Sequence, residues 1–333
     1  MESLTTRNDH MAGYQKLWQL RNDQISIVSN DHKKLNQFHE ELMMKVVQIA
    51  IDKTVSELGP IPAHFAFFVT GSAGRLEQSI WSDQDHGIIY EEKENCQKYF
   101  LSLGKEISKG LEIAGYPLCP GNVMASNPIW CQSSSKWEKQ ISEWLNTETL
   151  ESLRYFSTFF DSRVLFGETK LLHDLKSTAF SKLEAEPRLY LRLLENVRHY
   201  KKALGPFGQL LPEQHGEYKG YIDLKKAVSY PFVNGLRLLS LKEKISSPST
   251  IERFNQLPSE YKSIKKYKPD FIELLVFQLH IKKDAKDYED VHLIDPGTMT
   301  RDEKHVLKHL ARSAHKLFSE VTAVIEKGVG ELD

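Results

Sequence analysis

Cysteine is scarce in this 333-residue chain: three residues, Cys96, Cys119 and Cys131, none in a C-x-x-C pair. That argues against a zinc site or a disulfide framework and suits a reducing cytoplasm. No apolar run approaches the roughly 20 residues of a membrane span, and the N-terminus carries no signal-peptide core. An excess of either charge is missing too. The formal net charge is -1 with 27% charged residues, so the global basic footprint of a nucleic-acid binder is lacking. Internal repeats and low-complexity tracts are also lacking. What remains is a chain with 40% hydrophobic residues, enough for a core and room for roughly two domains.

The most informative stretch is Ala66 to Tyr90, AFFVTGSAGRLEQSIWSDQDHGIIY. Phe65 to Val69 is aromatic and β-branched, as a buried strand should be. Gly71 and Gly74 mark a turn and a close backbone approach. Arg75 to Trp81 has the length of about two helical turns, and a second strand is expected to open with Asp83 and Asp85. Alternate strand residues share a face, so these two carboxylates aim at one point while Gln84 faces away. Paired hard oxygen ligands suit Mg²⁺, with Mn²⁺ as its substitute, and Mg²⁺ commonly shares its shell with substrate phosphates. Gly71 and Ser72, at a helix start, offer N–H groups to a phosphate. Together they read as a triphosphate cradle facing a metal site. Ser72 is equally a helix N-cap. Arg75 pairs either with phosphate or with Glu77 or an aspartate. Glu77 reads as an orienter rather than a ligand. His86, next to the acids, is expected to point away and to pack or hydrogen-bond.

The pattern G-S-x-G-R-x-E-x4-S-D-x-D (Gly71, Ser72, Gly74, Arg75, Glu77, Ser82, Asp83, Asp85) resembles the signature of polymerase-β-like nucleotidyltransferases. It is closest there to the nucleotidyltransferases related to bacterial protein-PII uridylyltransferase (GlnD-like). The likeness continues through Cys119–Pro128, Phe159–Gly167 and Tyr221–Lys226, and covers most of the chain from Leu35 onward. It implies an α+β fold: a small mixed sheet flanked by helices, then an all-α helical bundle. It implies catalytic, metal-binding Asp83 and Asp85, an NTP substrate, and a nucleoside monophosphate passed to a hydroxyl with release of pyrophosphate. The implied acceptor is a regulatory protein and the named activity uridylyl transfer to PII. CBS, cyclic-nucleotide-binding, phosphohydrolase and ligand-sensing modules are not evident. The family's third acidic ligand is also missing from its expected strand, placed here at Asn122 to Ser126. Asn122 as a neutral oxygen ligand, a more distant carboxylate, metal binding only with nucleotide, and a weakened site are the open readings. A nucleotide-binding signalling protein without turnover is therefore the alternative function.

The expected organisation is an N-terminal segment over 1–30, a nucleotidyltransferase domain over 31–166 and a helical substrate-binding-like domain over 167–333. Residues 1–30 read as a docked helix or a partner-binding arm. Leu35, Phe38, Leu42, Val46, Ile49 and Val55 recur at helical spacing within 31–57. Residues 94–114 read as a helix. Trp130, Trp137 and Trp144 form a packing stripe. Residues 148–166 read as a helix bridging the domains. Asp161 and Arg163 on it are an exposed pair or members of the cleft. Beyond Gly167 helical patterns prevail, with Pro231 expected to kink one and Thr300 and Glu303 forming a capping box for the last. Asp223 and Lys225, with Lys226, contact a triphosphate or acidic acceptor, or are a solvated helix face.

Overall fold

The structure is a computed structural model; it describes residues 4–94 and 96–330. Contacts divide the chain into two units, Met1–Thr147 with Thr158–Ala179, and Glu148–Ser157 with Phe180–Asp333.

The first unit opens with helices α1 (Leu4–Val28) and α2 (His32–Leu58). Asp31 caps α2, its carboxylate accepting from the N–H groups of Lys33 and Lys34 at 2.9 and 3.1 Å. Strand β1 (Phe65–Val69) follows, then the single helical turn α3 (Gly71–Arg75) and β2 (His86–Tyr90). Helix α4 (Cys96–Ile113), strand β3 (Cys131–Ser133) and helix α5 (Ser134–Thr147) come next. Helix α6 (Leu150–Phe160), which belongs to the second unit up to Ser157, leads into β4 (Arg163–Gly167) and α7 (Thr169–Ala185), which passes into the second unit at Phe180.

The sheet order is β3-β2-β1-β4. β1 lies antiparallel to β2 and β4, with a bulge between Phe67 and Phe68 against β4, and β2 runs parallel to β3. All five β1 residues are buried, as befits a central strand without charged side chains. Helix α4 buries Cys96, Tyr99, Phe100, Leu103, Ile107 and Leu111, a single 3.6-period stripe. That stripe joins Leu42, Val46 and Ala50 of α2 and Tyr14 and Leu17 of α1 in one core. Helix α1, Leu4–Val28, therefore contributes buried anchors to the core. Trp130, Trp137 and Trp144 meet with ring centroids 5.8–6.0 Å apart, although Trp130 precedes the helix carrying the other two.

Two expectations change here. Residues 163–167 form an edge strand, because Arg163-Val164-Leu165-Phe166 pairs with β1 and Gly167 ends it at φ 92°. The third strand is Cys131–Ser133, whereas 122–126 is a turn region in which Asn122 adopts φ 54°.

The second unit contains α8 (Arg188–Arg198), β5 (Ile222–Asp223), α9 (Tyr230–Lys242), α10 (Thr250–Gln256), α11 (Lys262–Lys265), α12 (Lys268–Ile281), β6 (Leu293–Ile294) and α13 (Arg301–Gly330). The β5–β6 ribbon was not foreseen by the helical patterns. A π-helical turn, Lys225–Ser229, precedes α9, where the Pro231 ring disrupts regular i→i−4 bonding. The expected capping box is formed: Thr300 N–H donates to Glu303 at 2.7 Å and Glu303 N–H to Thr300 Oγ1 at 3.2 Å. No helix among the described residues is long and apolar enough to cross a membrane.

Candidate active site

The site is built where β1 turns back toward β2. After Thr70 the chain needs a tight reversal, and Gly71 supplies it at φ 58°. A Cβ on Gly71 would lie 2.3 Å from Asp85 Oδ2, so glycine is also what lets the Asp85 carboxylate sit against this backbone. Gly74 has a different duty: its missing Cβ leaves room for the Asp161 carbonyl, which such an atom would meet at 2.0 Å. Ser72 stands half-buried on the same turn, its carbonyl accepting the Glu77 N–H at 2.8 Å.

The helix expected over Arg75–Trp81 is instead the single turn Gly71–Arg75, ended by Leu76 at φ 61°. Segment 76–85 is irregular because buried side chains of α1 and α2 satisfy its backbone in place of helical bonds. Asn36 accepts from Gln78 N–H at 2.9 Å and donates to the Gln78 carbonyl at 3.3 Å. His39 Nε2 donates to the Ser79 carbonyl at 2.9 Å, and Nδ1 then accepts from the Tyr116 hydroxyl at 2.9 Å. Arg21, 1% exposed, donates to the Ile80 carbonyl at 2.8 Å. Its guanidinium lies 4.6 Å from the Trp81 ring centre and 5.3 Å from that of Tyr116.

Asp83 and Asp85 lie in the extended lead-in to β2 rather than within the strand, which starts at His86. The alternation still holds, because neighbours bond this lead-in on both sides. Thr70 N–H donates to the Asp85 carbonyl at 2.9 Å, and Gln84 N–H to the Pro117 carbonyl at 3.1 Å, with Gln84 bridged in parallel to Leu118. Ligand atoms of Asp83, Asp85 and Cys119 all lie within 4.8 Å of one another. Asp83 is 8% exposed. Cys119 bonds to Asp85; burial first, then the Asp85 charge, push the thiol's pKa well up, so it is the protonated S–H that donates. His86 turns the other way, as expected: Nε2 donates to Gln84 Oε1 at 2.9 Å and Nδ1 accepts from Ala125 N–H at 3.1 Å. Burial drives its pKa down to about 3, so the ring is neutral.

Arg75 lies between two carboxylates, with Nε 2.6 Å from Glu77 and Nη1 2.7 Å from Asp161. Desolvation opposes its charge, and the two acids more than offset that. Of the two readings of Arg75, the arrangement is the ion-paired one, and Glu77 is its anchor. Asp161 is fully buried, not an exposed residue. Arg163 bonds Glu40 at 2.7 Å and the Ala73 carbonyl at 3.3 Å, which ties α2 to α3. Asn122 is exposed in its turn, its carbonyl accepting from Asn127 Nδ2 at 3.0 Å. Strand β3 reads Cys131-Gln132-Ser133 and carries no acid. In the second unit Asp223 pairs with Lys226 at 2.9 Å, and Lys225 Nζ is 3.4 Å from the Tyr288 hydroxyl. The group missed by sequence reasoning is Cys119. Its signal, a thiol preceded by two residues that pair with the acidic segment, needs the tertiary bridge to be seen.

The chain matches two family profiles. One, "Putative nucleotidyltransferase DUF294", covers residues 19–151; the other, "Putative nucleotidyltransferase substrate binding domain", covers 187–324. The chain belongs to this nucleotidyltransferase family, and a nucleotidyl transfer activity with an NTP substrate follows from membership. No curated protein matches the chain significantly. The first profile contains Gly71, Ser72, Asp83, Asp85 and Cys119; the second contains Asp223 and Lys225; Asp161 and Arg163 fall between them.

Proposed function

We propose that the protein transfers a nucleoside monophosphate from an NTP, in a Mg²⁺- or Mn²⁺-dependent reaction, to a hydroxyl on a regulatory protein, releasing pyrophosphate. Uridylyl transfer is the form we favour. The observation that carries this reading is the convergence of Asp83 and Asp85 beside the Gly71 backbone. Two carboxylates and a side-chain-free approach fit a hard divalent cation with a triphosphate alongside. Asp83 and Asp85 would hold the cation, and Gly71 and Ser72 would receive phosphate oxygens. When bound, the cation neutralises charge on the triphosphate and favours in-line displacement. Arg75, tied to Glu77 and Asp161, keeps the turn rigid so that these groups stay aligned. Residues 31–166 would supply the nucleotide half and 167–333 the acceptor half.

Pyrophosphate release with UTP, ATP, GTP or CTP and candidate protein acceptors tests this. Asp83→Asn and Asp85→Asn should each lower it at least ~1,000-fold, with the fold intact by circular dichroism. Turnover unaffected by both variants would overturn the assignment. A second reading, a nucleotide sensor without turnover, is favoured by one observation: β3 carries no acid. Nucleotide binding by calorimetry with no release across the same acceptors supports it.

A further inference from the structure

We propose that the Cys119 thiol is the third protein ligand of the Asp83–Asp85 site, and that it makes the site a receptor for a thiophilic divalent cation of the Zn²⁺ class. The inference rests on the metal-site reading of the two aspartates. Three observations carry it. The thiol sulfur and one oxygen of each carboxylate already lie within 4.8 Å of one another. Backbone pairing fixes that meeting: Leu118 bridges Gln84, so Cys119 follows Leu118 as Asp85 follows Gln84, at equivalent positions on adjacent segments. The Asp85 carboxylate is held from the other side against the Gly71 Cα, where only glycine leaves it room. The arrangement is thus set by backbone geometry on both flanks.

A hard cation such as Mg²⁺ takes oxygen and has no use for a thiol. One sulfur and two carboxylate oxygens, with a position left for water or a phosphate oxygen, make instead the three-ligand layout of an open zinc site. Loading is balanced by one proton. The Cys119 S–H bond to Asp85 is given up, the proton goes to solvent, and thiolate and carboxylates take the cation. Such an ion occupies the carboxylates that Mg²⁺–NTP needs, so the chemistry implies competition between the two. Scarcity of cysteine makes a zinc site unexpected from composition, but a set of one thiol and two carboxylates needs only a single cysteine.

The test uses the full chain and Cd²⁺ as probe, followed by the ultraviolet thiolate-to-cadmium charge-transfer band, without nucleotide. One saturable equivalent is expected in wild type, no band in Cys119→Ser or Cys119→Ala, and at least ~10-fold weaker binding in Asp85→Asn. Loading the metal-free protein with either Cd²⁺ or Zn²⁺ should release one proton, read as a buffer-dependent binding enthalpy, and Zn²⁺ should displace Cd²⁺ and bleach the band with no further proton release. A band unchanged in both Cys119 variants, or no band in wild type, overturns the inference. Mn²⁺–UTP binding is measured on the same proteins. If it depends on Asp83 and Asp85 while the cadmium band is absent, the thiol role fails and the transferase reading stands. If the band behaves as expected while Mn²⁺–UTP binding ignores both aspartates, the soft-metal site stands and the transferase reading fails.

Discussion

Two pairs of acids gather at the Gly71–Arg75 turn and are treated oppositely by the fold. Glu77 and Asp161 share the Arg75 guanidinium at 2.6 and 2.7 Å, under side chains 7% and 1% exposed. Asp83 and Asp85 gather instead around a thiol, beside a backbone stripped of its Cβ. The difference separates carboxylates neutralised from within, which hold the turn, from carboxylates that we propose receive an external cation. The largest expected effect tests that division. Arg75→Met leaves two buried carboxylates without their cation and should cost about 3–5 kcal/mol in urea unfolding, the more so because Glu77 Oε1 has no hydrogen-bond partner among the described residues. Arg75→Lys should recover only part, since a lysine cannot serve two carboxylates with a rigid fork. Asp85→Asn, a charge change in the other group, should leave the unfolding midpoint nearly unmoved while removing transfer. Equal stability losses in the two groups would erase the distinction.

Gly71 sharpens the comparison because its two constraints can be separated. Gly71→Ala imposes a left-handed residue, costing about 1–2 kcal/mol, and drives a methyl toward Asp85 Oδ2. Gly59→Ala, at φ 86° and ψ -173°, imposes backbone strain at least as great, with open space around the new atom. Both variants should lose stability, Gly59→Ala by at least as much. Only Gly71→Ala should weaken Mn²⁺–UTP binding, by about tenfold, through displacement of the carboxylate. Matching affinities in the two variants would show that the contact with Asp85 has no bearing on ligand.

The segment between the two groups responds to acid. His39, bonded to the Ser79 carbonyl, has its pKa pushed down to about 3, chiefly by burial. Its folded value lies below the ordinary 6.5, so the unfolded chain binds the proton more readily. The stability it contributes is complete above pH 6.5 and is lost as pH falls toward 3. The slope reaches about 1.4 kcal/mol per pH unit for one such group. His39→Gln should lower the melting temperature at neutral pH yet flatten the decline between pH 6 and 4. A slope identical to wild type would mean that His39 is not among the groups titrating on unfolding.

How legible all this was follows from the range of the interactions. The β1 strand, the glycine turn and the convergence of Asp83 with Asp85 are local, set by side-chain type and period two, and were readable. The helix expected at Arg75–Trp81 was misplaced because Asn36, His39 and Arg21 satisfy that backbone from 40 to 60 residues upstream. Residues 163–166 read as helix because their apolar spacing suits either state; pairing with β1 decides, and pairing is invisible in one segment. Cys119 was passed over because its partners lie on a neighbouring segment joined through one bridge. The Thr300–Glu303 box, by contrast, is complete within four residues and could be read outright.

That box supplies the smallest expected effect and the reference for the others. Thr300→Ala removes the hydroxyl that accepts the Glu303 N–H and donates to its carboxylate at 2.9 Å. Glu303 itself is held below the usual carboxylate range, first by the Thr300 N–H and then by that hydroxyl. Losing the cap should cost about 1 kcal/mol and fray the start of α13, read as faster amide exchange over residues 300–306. Because the change lies in the second unit, Cd²⁺ titration and Mn²⁺–UTP affinity should match wild type. If a cap loss of this size did lower either affinity, the effects assigned to Arg75 and Gly71 could be general softening. If both affinities hold, the ~10-fold effect expected of Gly71→Ala belongs to the carboxylate it displaces.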